Sequence, residues 1–444
     1  MNEIDISLLV ILYSIFGLFV LSNVYIEIKK NKKIELNTFF ELYIFLVYSI
    51  APIVSVLFIN VNDLINSYYF TEKIGYYYLL YVITVIFYLI YYFFIKLFSK
   101  KEYYTKQKKT IDISSNSFFF VNILISVIGL VSLVLWTKAY GKPWDIIKYA
   151  SAIRSGYSPI VNKLTFFKPF CYFLLMGFYN SFIIFKKTKF KILNFVVLII
   201  DFIFSVIFLF ANDSRMMMLI FVMCLIFYYK NKNINISLKN ILQLLIIAVG
   251  ILFLLGRLDN ISYYVRNGVK RPNNTNGTIA QVVHDEFTYT YRNGVNVLYL
   301  YNNNLLPSIH EFKDLKNIVF AWIPERFKQG NETLGALNTS YYVNSSGAIP
   351  TDIITASIYK FHIVGIIIMP IFIAYLICLL ERMLKKVKSE YTDLIYTLCG
   401  CYLSLRLIAY YDLSDNLFSC FYIIISYILF YIFSAKTEKE EGGY

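Results

Sequence analysis

Charged side chains are scarce in this 444-residue chain. Asp, Glu, Lys and Arg make up 16% of it and apolar residues 58%, where an ordinary soluble chain carries about 25% charged residues. So little polar surface cannot cover a folded chain in water, and soluble domains are excluded. Nine Pro and eighteen Gly exclude fibrous and repetitive classes. Acidic residues are the rarer sign: 28 Asp and Glu against 42 Lys and Arg leave a net charge of +14. Histidine is rarer still, with three residues. What is abundant is aromatic and aliphatic: 41 Tyr and 40 Phe, and a mean hydropathy of +0.59. That content excludes disorder. A charge of +14 on a soluble protein would suggest nucleic acid, whereas on a membrane protein it is the expected signature of cytoplasmic lysines.

Apolar runs of about 18 or more residues are long enough to cross a hydrocarbon core of about 30 Å as helices. Eleven are expected: 6–27, 39–59, 74–97, 117–137, 166–185, 192–211, 215–229, 239–257, 363–381, 392–410 and 417–434. The sixth and seventh form a tight hairpin around Asn212, Asp213, Ser214 and Arg215. The first follows Met1–Asp5, which holds no Lys or Arg, and it lacks a small-residue cleavage site. It reads as a retained helix and not a signal peptide.

Lysines cluster in alternate loops: KKNKK at 29–33, five between 100 and 109, Lys186 to Lys191, Lys230 to Lys239, Lys385 to Lys388, and the tail. Eleven spans put all of these on one side, so the positive-inside rule places the N-terminus outside and the C-terminus in the cytoplasm. The outer loops are uneven. Segment 138–165 is short, and 258–361 is far longer than any cytoplasmic loop, so chemistry or recognition is expected on the outer face. The organisation is therefore a bundle of spans 1–8 over residues 1–257, a large outer loop 258–361 with amphipathic helices, and spans 9–11 with a cytoplasmic tail over 362–444. All six cysteines fall in expected spans, and Cys399 and Cys401 read as buried filler.

Arginine is partitioned the other way. Of nine Arg, only Arg382 is on the lysine side; Arg154, Arg215, Arg257, Arg266, Arg271, Arg292, Arg326 and Arg406 are in outer loops or the outer part of a span. Guanidinium offers a planar fork of donors that matches phosphate or carboxylate and keeps its charge when partly desolvated. The set suits an anion such as a lipid pyrophosphate at the membrane boundary; snorkelling to headgroups or pairing with outer carboxylates is the plainer reading. Arg406, about one turn inside the tenth span, needs a cavity or a partner. Arg215 opens a helix, where N–H groups also favour an anion.

In the long loop, 281–304 has helical periodicity, with Val283, Phe287, Tyr291, Val295 and Leu298 on one stripe. Asp285 and Arg292 share the opposite face with Tyr289. That pair could activate a hydroxyl and hold an anion, or be a surface salt bridge, and the sequence leaves both open. His284, Asp285 and Glu286 are candidates for a general base. Tyr263, Tyr264, Tyr289 and Tyr291 suit sugar stacking. His284, His310 and His362 show no metal-ligand spacing, and no Gly-rich phosphate loop is present, so neither a metal nor a nucleotide cofactor is expected.

The layout from about 145 to 420 resembles the bacterial oligosaccharide repeat-unit polymerases, the Wzy family of O-antigen and enterobacterial common antigen polymerases. The resemblance is carried by Tyr149–Ile160 (YASAIRSGYSPI), Asp213-Ser214-Arg215 opening a span, and Tyr291-Arg292-Asn293 in the long loop. It continues with Trp322-Ile323-Pro324 and with Thr355–Gly365 (TASIYKFHIVG), which is similar to the family's Gly-Glu-x-Tyr-x-x-Phe-Gly segment. Ala356 and Ser357 stand where Gly-Glu is usual and His362 where the family has a Gly, so that segment is not assigned catalysis. Glu325–Gly330 replaces a Pro-rich pattern.

The resemblance implies an all-α polytopic fold related to integral-membrane glycosyltransferases and O-antigen ligase. It implies a bacterial inner-membrane enzyme that moves a growing glycan from undecaprenyl pyrophosphate onto the non-reducing end of a new lipid-linked repeat unit, at the periplasmic face. The partners would be lipid-linked oligosaccharides, membrane lipids and a chain-length-regulating co-polymerase, with no nucleic acid. Cations must then stabilise the departing pyrophosphate, and a base must take the acceptor proton. Arg215 and Arg292 are expected to hold the pyrophosphate. Arg154, Arg257, Arg266 and Arg406 would support them, with Tyr263 and Tyr289 against the glycan. An O-antigen ligase-type transferase, using His284 or His310, and a lipid-linked oligosaccharide flippase are the alternatives. The flippase fits less well, because Lys96, Asp201 and Arg406 are the few charges noted near or within spans.

Overall fold

A computed structural model describes residues 3–31, 33–57, 73–100, 115–154, 160–185, 189–212, 215–232, 264, 267–269, 279–306, 334–341, 349–385, 390–411 and 413–441. The regular elements among them are all helical. They are α1 (Glu3–Asn31), α2 (Leu36–Leu57, with a π turn at Leu46–Ile50), α3 (Ile74–Lys100) and α4 (Ser115–Thr137), then α5 (Phe173–Ile184), entered through the 3-10 segment Thr165–Tyr172. They continue as α6 (Lys191–Ala211), α7 (Arg215–Lys232), α8 (Ile279–Asn302), α9 (Ile353–Phe361) and α10 (Gly365–Lys385). Last come α11 (390–409, with a π turn at Cys399–Leu403) and α12 (Leu413–Glu441).

Seven helical stretches among the described residues are long and apolar enough to cross a membrane. They coincide with the first six expected spans and the ninth. The seventh and eleventh correspond to shorter apolar stretches, Ile220–Tyr229 and Ser419–Phe433. The tenth is α11, broken by its π turn, and the eighth, 239–257, lies outside the described residues.

The burial pattern shows which solvent these helices suit. On α1, Leu9, Tyr13, Phe16, Val20 and Val24 are buried at helical spacing, while Ile4, Leu8, Ile11, Ile15 and Leu18 are exposed on the other face. α6 presents Ile192, Phe195, Ile199, Phe202 and Ile203 outward. Contiguous apolar faces of this size are not tolerated in water. A helix satisfies its own backbone groups and so can expose such faces to lipid. The chain is an all-α protein of multi-pass membrane type.

Two groups of helices pack side by side. α3 lies along α10, with α1, α2, α8 and α9 around them; α4, α5 and α6 form the second group, and α11 and α12 touch both. Lysine-bearing ends come together. Lys385 Nζ lies 2.9 Å from Glu35 and 2.9 Å from Glu381, and Arg382 donates to the Phe98 carbonyl at 2.9 Å. Phe118 at the start of α4 meets Tyr391 at the start of α11, and Phe119 stacks on Phe190 just before α6. The helix ends at Glu35, Phe98 and Lys385 thus lie together, as do those at Phe118, Phe190 and Tyr391.

The helix expected in the long loop forms as α8, and its stripe residues Tyr291, Val295 and Leu298 are buried. Its surroundings differ from those of a surface helix. α8 packs against α2, α3 and α9, and Tyr291 sets its ring edge-on to Tyr13 at 5.6 Å and near Tyr77 at 5.8 Å. The opposite face, with Tyr289 and Arg292, is buried as well. Apolar helices on several sides leave α8 no solvent face over 288–298.

α9 and α10 are separated by a tight turn at His362–Val364. A side chain at Gly365 would run into the Ser357 carbonyl, so only glycine lets α10 start this close to α9. His362 takes φ 53° and ψ −150°, a region where a Cβ is strained and glycine is at ease.

Candidate functional site

At the end of the bundle opposite Lys385, α8, α9 and α11 converge. Segment 349–352 and residues 410–411 fill the space between them. Tyr289 on α8 donates from its hydroxyl to the Ala409 carbonyl at 2.8 Å, the last residue of α11. One helical turn along, Arg292 is 9% exposed. Asn293 beside it donates to the Pro350 carbonyl at 2.9 Å. α8 is thereby tied to the ends of both neighbouring helices.

Residues 351 and 411 bind each other by main chain and side chain. The Tyr411 amide donates to the Thr351 carbonyl at 2.7 Å, and the Thr351 hydroxyl donates to the Tyr411 carbonyl at 2.8 Å. Asp352 then caps α9. Its carboxylate accepts from the amides of Ile354 and Thr355 at 3.0 and 3.1 Å, from the Tyr48 hydroxyl at 2.7 Å, and from the Thr355 hydroxyl. The sequence DIIT is an N-cap pattern that satisfies orphan amides of the first turn. Burial pushes the Asp352 carboxyl above its ordinary range, and these hydrogen bonds pull it part of the way back. All of its acceptor capacity is turned toward its own helix and Tyr48, so it is a positioning group.

Arg406, half-buried in the last turn of α11, lies between two aromatic faces. Its guanidinium carbon is 5.4 Å from the Tyr402 ring centre and 5.6 Å from that of Tyr410, and one Nη donates to the Tyr402 hydroxyl at 3.3 Å. Tyr410 in turn faces Tyr289 at 5.9 Å. On the other flank, Lys360 of α9 is buried and its Nζ lies 5.1 Å from the Tyr411 ring centre. Cation–π contacts of this kind stabilise by about 0.5–2 kcal/mol, more where water is excluded. Lys360 and Arg406 thus flank the adjacent Tyr411 and Tyr410, and Arg292 lies one turn along α8 from Tyr289, which faces Tyr410.

Of the residues expected from sequence, Tyr289 faces Tyr410, which lies beside Arg406, and Arg292 is buried one turn along α8. Asp285, the expected partner of Arg292, has its side chain outside the described residues. Backbone placement puts Arg215 at the first residue of α7, Arg154 at the end of the short helix Ala150–Arg154, and His284, Asp285 and Glu286 in the first two turns of α8. The side chains of these five, and the whole of Arg257, Arg266, Arg271, Tyr263, His310 and Arg326, lie outside the described residues. The His362 ring sits edge-on to Tyr301 at 5.4 Å.

Sequence reasoning missed Lys360, Asp352, Thr351 and the Tyr410–Tyr411 pair. The N-cap pattern at 352–355 was a readable signal for Asp352; nothing local marks Lys360, whose ring contact is with Tyr411, far along the chain. Among charges inside spans it also missed Glu41, which is fully buried on α2 and bonded through Asn37. All six cysteines are free and buried. No group of three His, Cys, Asp or Glu able to hold a metal occurs among the described residues. No known protein family, curated protein or solved structure matches the chain.

Proposed function

We propose that this chain is a metal-independent membrane glycosyltransferase that polymerises oligosaccharide repeat units carried on undecaprenyl pyrophosphate. The observation that carries this reading is the placing of Lys360 and Arg406 against Tyr411 and Tyr410, with Tyr289 facing Tyr410 and buried Arg292 one turn along α8, at the end of the bundle away from Lys385. The opposite partition of lysine and arginine, and the resemblance to the repeat-unit polymerases, support it. In this reading the lysine end is cytoplasmic and the opposite end faces the periplasmic side of the inner membrane. In the same reading the chain has eleven spans and its N-terminus lies outside.

The reaction transfers the glycan from its anomeric carbon on pyrophosphate to a hydroxyl of the incoming unit. The C–O bond to pyrophosphate breaks, a new glycosidic bond forms, and the pyrophosphate leaves as an anion while a base takes the hydroxyl proton. Negative charge grows on the leaving group, so fixed guanidinium groups in a site of low dielectric lower the barrier. Arg292 and Arg406, with Arg215 at the N-terminus of α7, hold that charge. Arg154, Arg257 and Arg266 support it, and Tyr263 and Tyr289 contact the sugar. His284, Asp285 and Glu286 are the candidates for the base.

Deletion of the gene, followed by gel analysis of the surface glycan, is the direct experiment. The expected product is lipid carrying a single repeat, restored to a ladder by the wild-type chain but not by Arg215→Ala or Arg292→Ala at normal protein abundance. A persisting ladder in both variants refutes the assignment. Loss of all glycan from the lipid acceptor would identify a ligase instead.

A further inference from the structure

The α4–α5–α6 group holds a polar seam unconnected to the site above. On the inner face of α6, Asn194, Asp201 and Ser205 are all fully buried, while the outer face of the same helix is apolar and exposed. Asp201 is the eleventh of the 21 residues of α6, so it lies at mid-span. The Ser126 hydroxyl of α4 donates to Asp201 Oδ2 at 2.6 Å. The helices can approach so closely because α5 carries glycine here: a Cβ at Gly177 would come within 2.5 Å of both the Asp201 carboxyl and the Ser126 hydroxyl.

Toward the 186–191 end the seam continues as a ladder. Asn122 donates to the Ser181 hydroxyl at 2.7 Å, and Asn194 donates to the Ser181 carbonyl at 2.8 Å. Three oxygens in this series accept no hydrogen bond: Asp201 Oδ1, Asn122 Oδ1 and Asn194 Oδ1. The Ser205 hydroxyl, one turn from Asp201, is likewise without a partner. Helices α4 and α5 contain no Lys, Arg, His, Asp or Glu, and Tyr179 on α5 is engaged with the Phe221 carbonyl. The remaining titratable groups on segments packed against α6 are Asp145, Lys148 and Tyr149, and Lys168, Cys171 and Tyr172. Asp145 pairs with Lys148 at 3.6 Å, Lys168 lies over the Trp136 ring, and Tyr172 meets Phe208, two turns beyond Asp201.

An ionised carboxylate at this depth costs several kcal/mol without a cation. One hydrogen bond from a serine returns only about 1.5–3 kcal/mol. A neutral carboxylic acid avoids most of that cost. We propose that Asp201 is a proton-binding site in the membrane interior, reached from the 186–191 end through the Asn122–Ser181–Asn194 ladder. Binding is a simple protonation of the carboxylate, with no other bond made or broken. It supplies the bundle with a mid-span charge that a proton gradient can control.

The test uses the full chain in liposomes and dicyclohexylcarbodiimide, an apolar reagent that attacks protonated carboxyls from the lipid side. Mass spectrometry should find the adduct on the Asp201 peptide near neutral pH. The yield should fall at least tenfold in alkaline buffer, and the adduct should be absent in Asp201→Asn. The infrared band of a protonated carboxylic acid should be reduced in Asp201→Asn, and its shift in heavy water should be slower in Asn194→Leu. An Asp201 peptide that stays unlabelled across the pH range with no change in that band overturns the proton site. Protection by sodium at constant pH overturns it in favour of a sodium site. Equal exchange rates in Asn194→Leu overturn the route.

Discussion

Tyr289 and Tyr410 face each other across the junction of α8 and α11, with ring centres 5.9 Å apart and an interplanar angle of 52°. The Tyr289 hydroxyl reaches past Tyr410 to the Ala409 carbonyl. This contact joins a helix from the middle of the long loop to the end of a late span. It also brings the turn bearing Arg292 to the wall on which Arg406 lies.

Arg406 lays a planar guanidinium over two rings while one Nη donates to Tyr402, and lysine cannot reproduce that combination. Arg406→Lys should therefore shorten the glycan ladder, with a loss of about tenfold or more in polymerisation rate, since one charge-assisted hydrogen bond contributes about 1.5–3 kcal/mol. Unchanged chain length in Arg406→Lys would show that only its charge matters.

Tyr289→Phe removes the bond to Ala409 and keeps the ring. Its expected cost in stability is about 1 kcal/mol, read as a small fall in the melting temperature of the detergent-solubilised protein. Tyr289→Ala removes the ring as well and should lower both stability and chain length.

Asp352 gives a pH signature. Its folded-state pKa is raised by burial, so folding favours its protonated form. The stability this contributes is fully present below the ordinary Asp range and is lost as pH rises through the raised value. Asp352→Asn keeps an oxygen for the cap and carries no charge. Melting temperatures measured against pH should show the wild type losing ground to Asp352→Asn as pH rises from the acid side. Asp352→Ala, which loses the cap, should be less stable than either, by about 1–2 kcal/mol.

The turn between α9 and α10 makes opposite demands at two positions. Gly365→Ala drives a methyl group into the Ser357 carbonyl and should abolish a monodisperse peak on size-exclusion chromatography. His362→Gly relieves a positive φ that costs of order 1–3 kcal/mol, and it gives up the Tyr301 contact, worth about 0.5–1.5 kcal/mol. The melting temperature should hold or rise.

Lys385 neutralises Glu381, whose side chain is nearly buried, and also pairs with Glu35. Lys385→Ala should cost about 2 kcal/mol, less than the 3–5 kcal/mol of a fully buried pair, because Lys385 is itself partly exposed. Lys385→Met combined with Glu381→Leu should recover most of that loss in a thermal melt. A double variant no better than the single one would mean that other contacts of Glu381, such as those to Leu36 and Tyr396, dominate.

Hydropathy and the length of the apolar runs were enough to determine the all-helical membrane class and the positions of most helices. Both depend on short-range physics: about 20 residues cross a bilayer, and an apolar run in lipid must be a helix. The stripe on α8 and the cap at Asp352 are local patterns too. The surroundings of those patterns are not local. Whether Arg292 meets water or protein depends on α2, α3 and α9 packing around α8, and Lys360 matters because Tyr411 lies beside it. In the same way Asp201 was visible as one charge in an apolar run, but its serine, its glycine and its unmatched oxygen come from three helices. Sequence patterns state what each helix can do. Contacts between residues far apart in the chain decide which of those capacities share a site, because burial and pairing are properties of the assembled bundle.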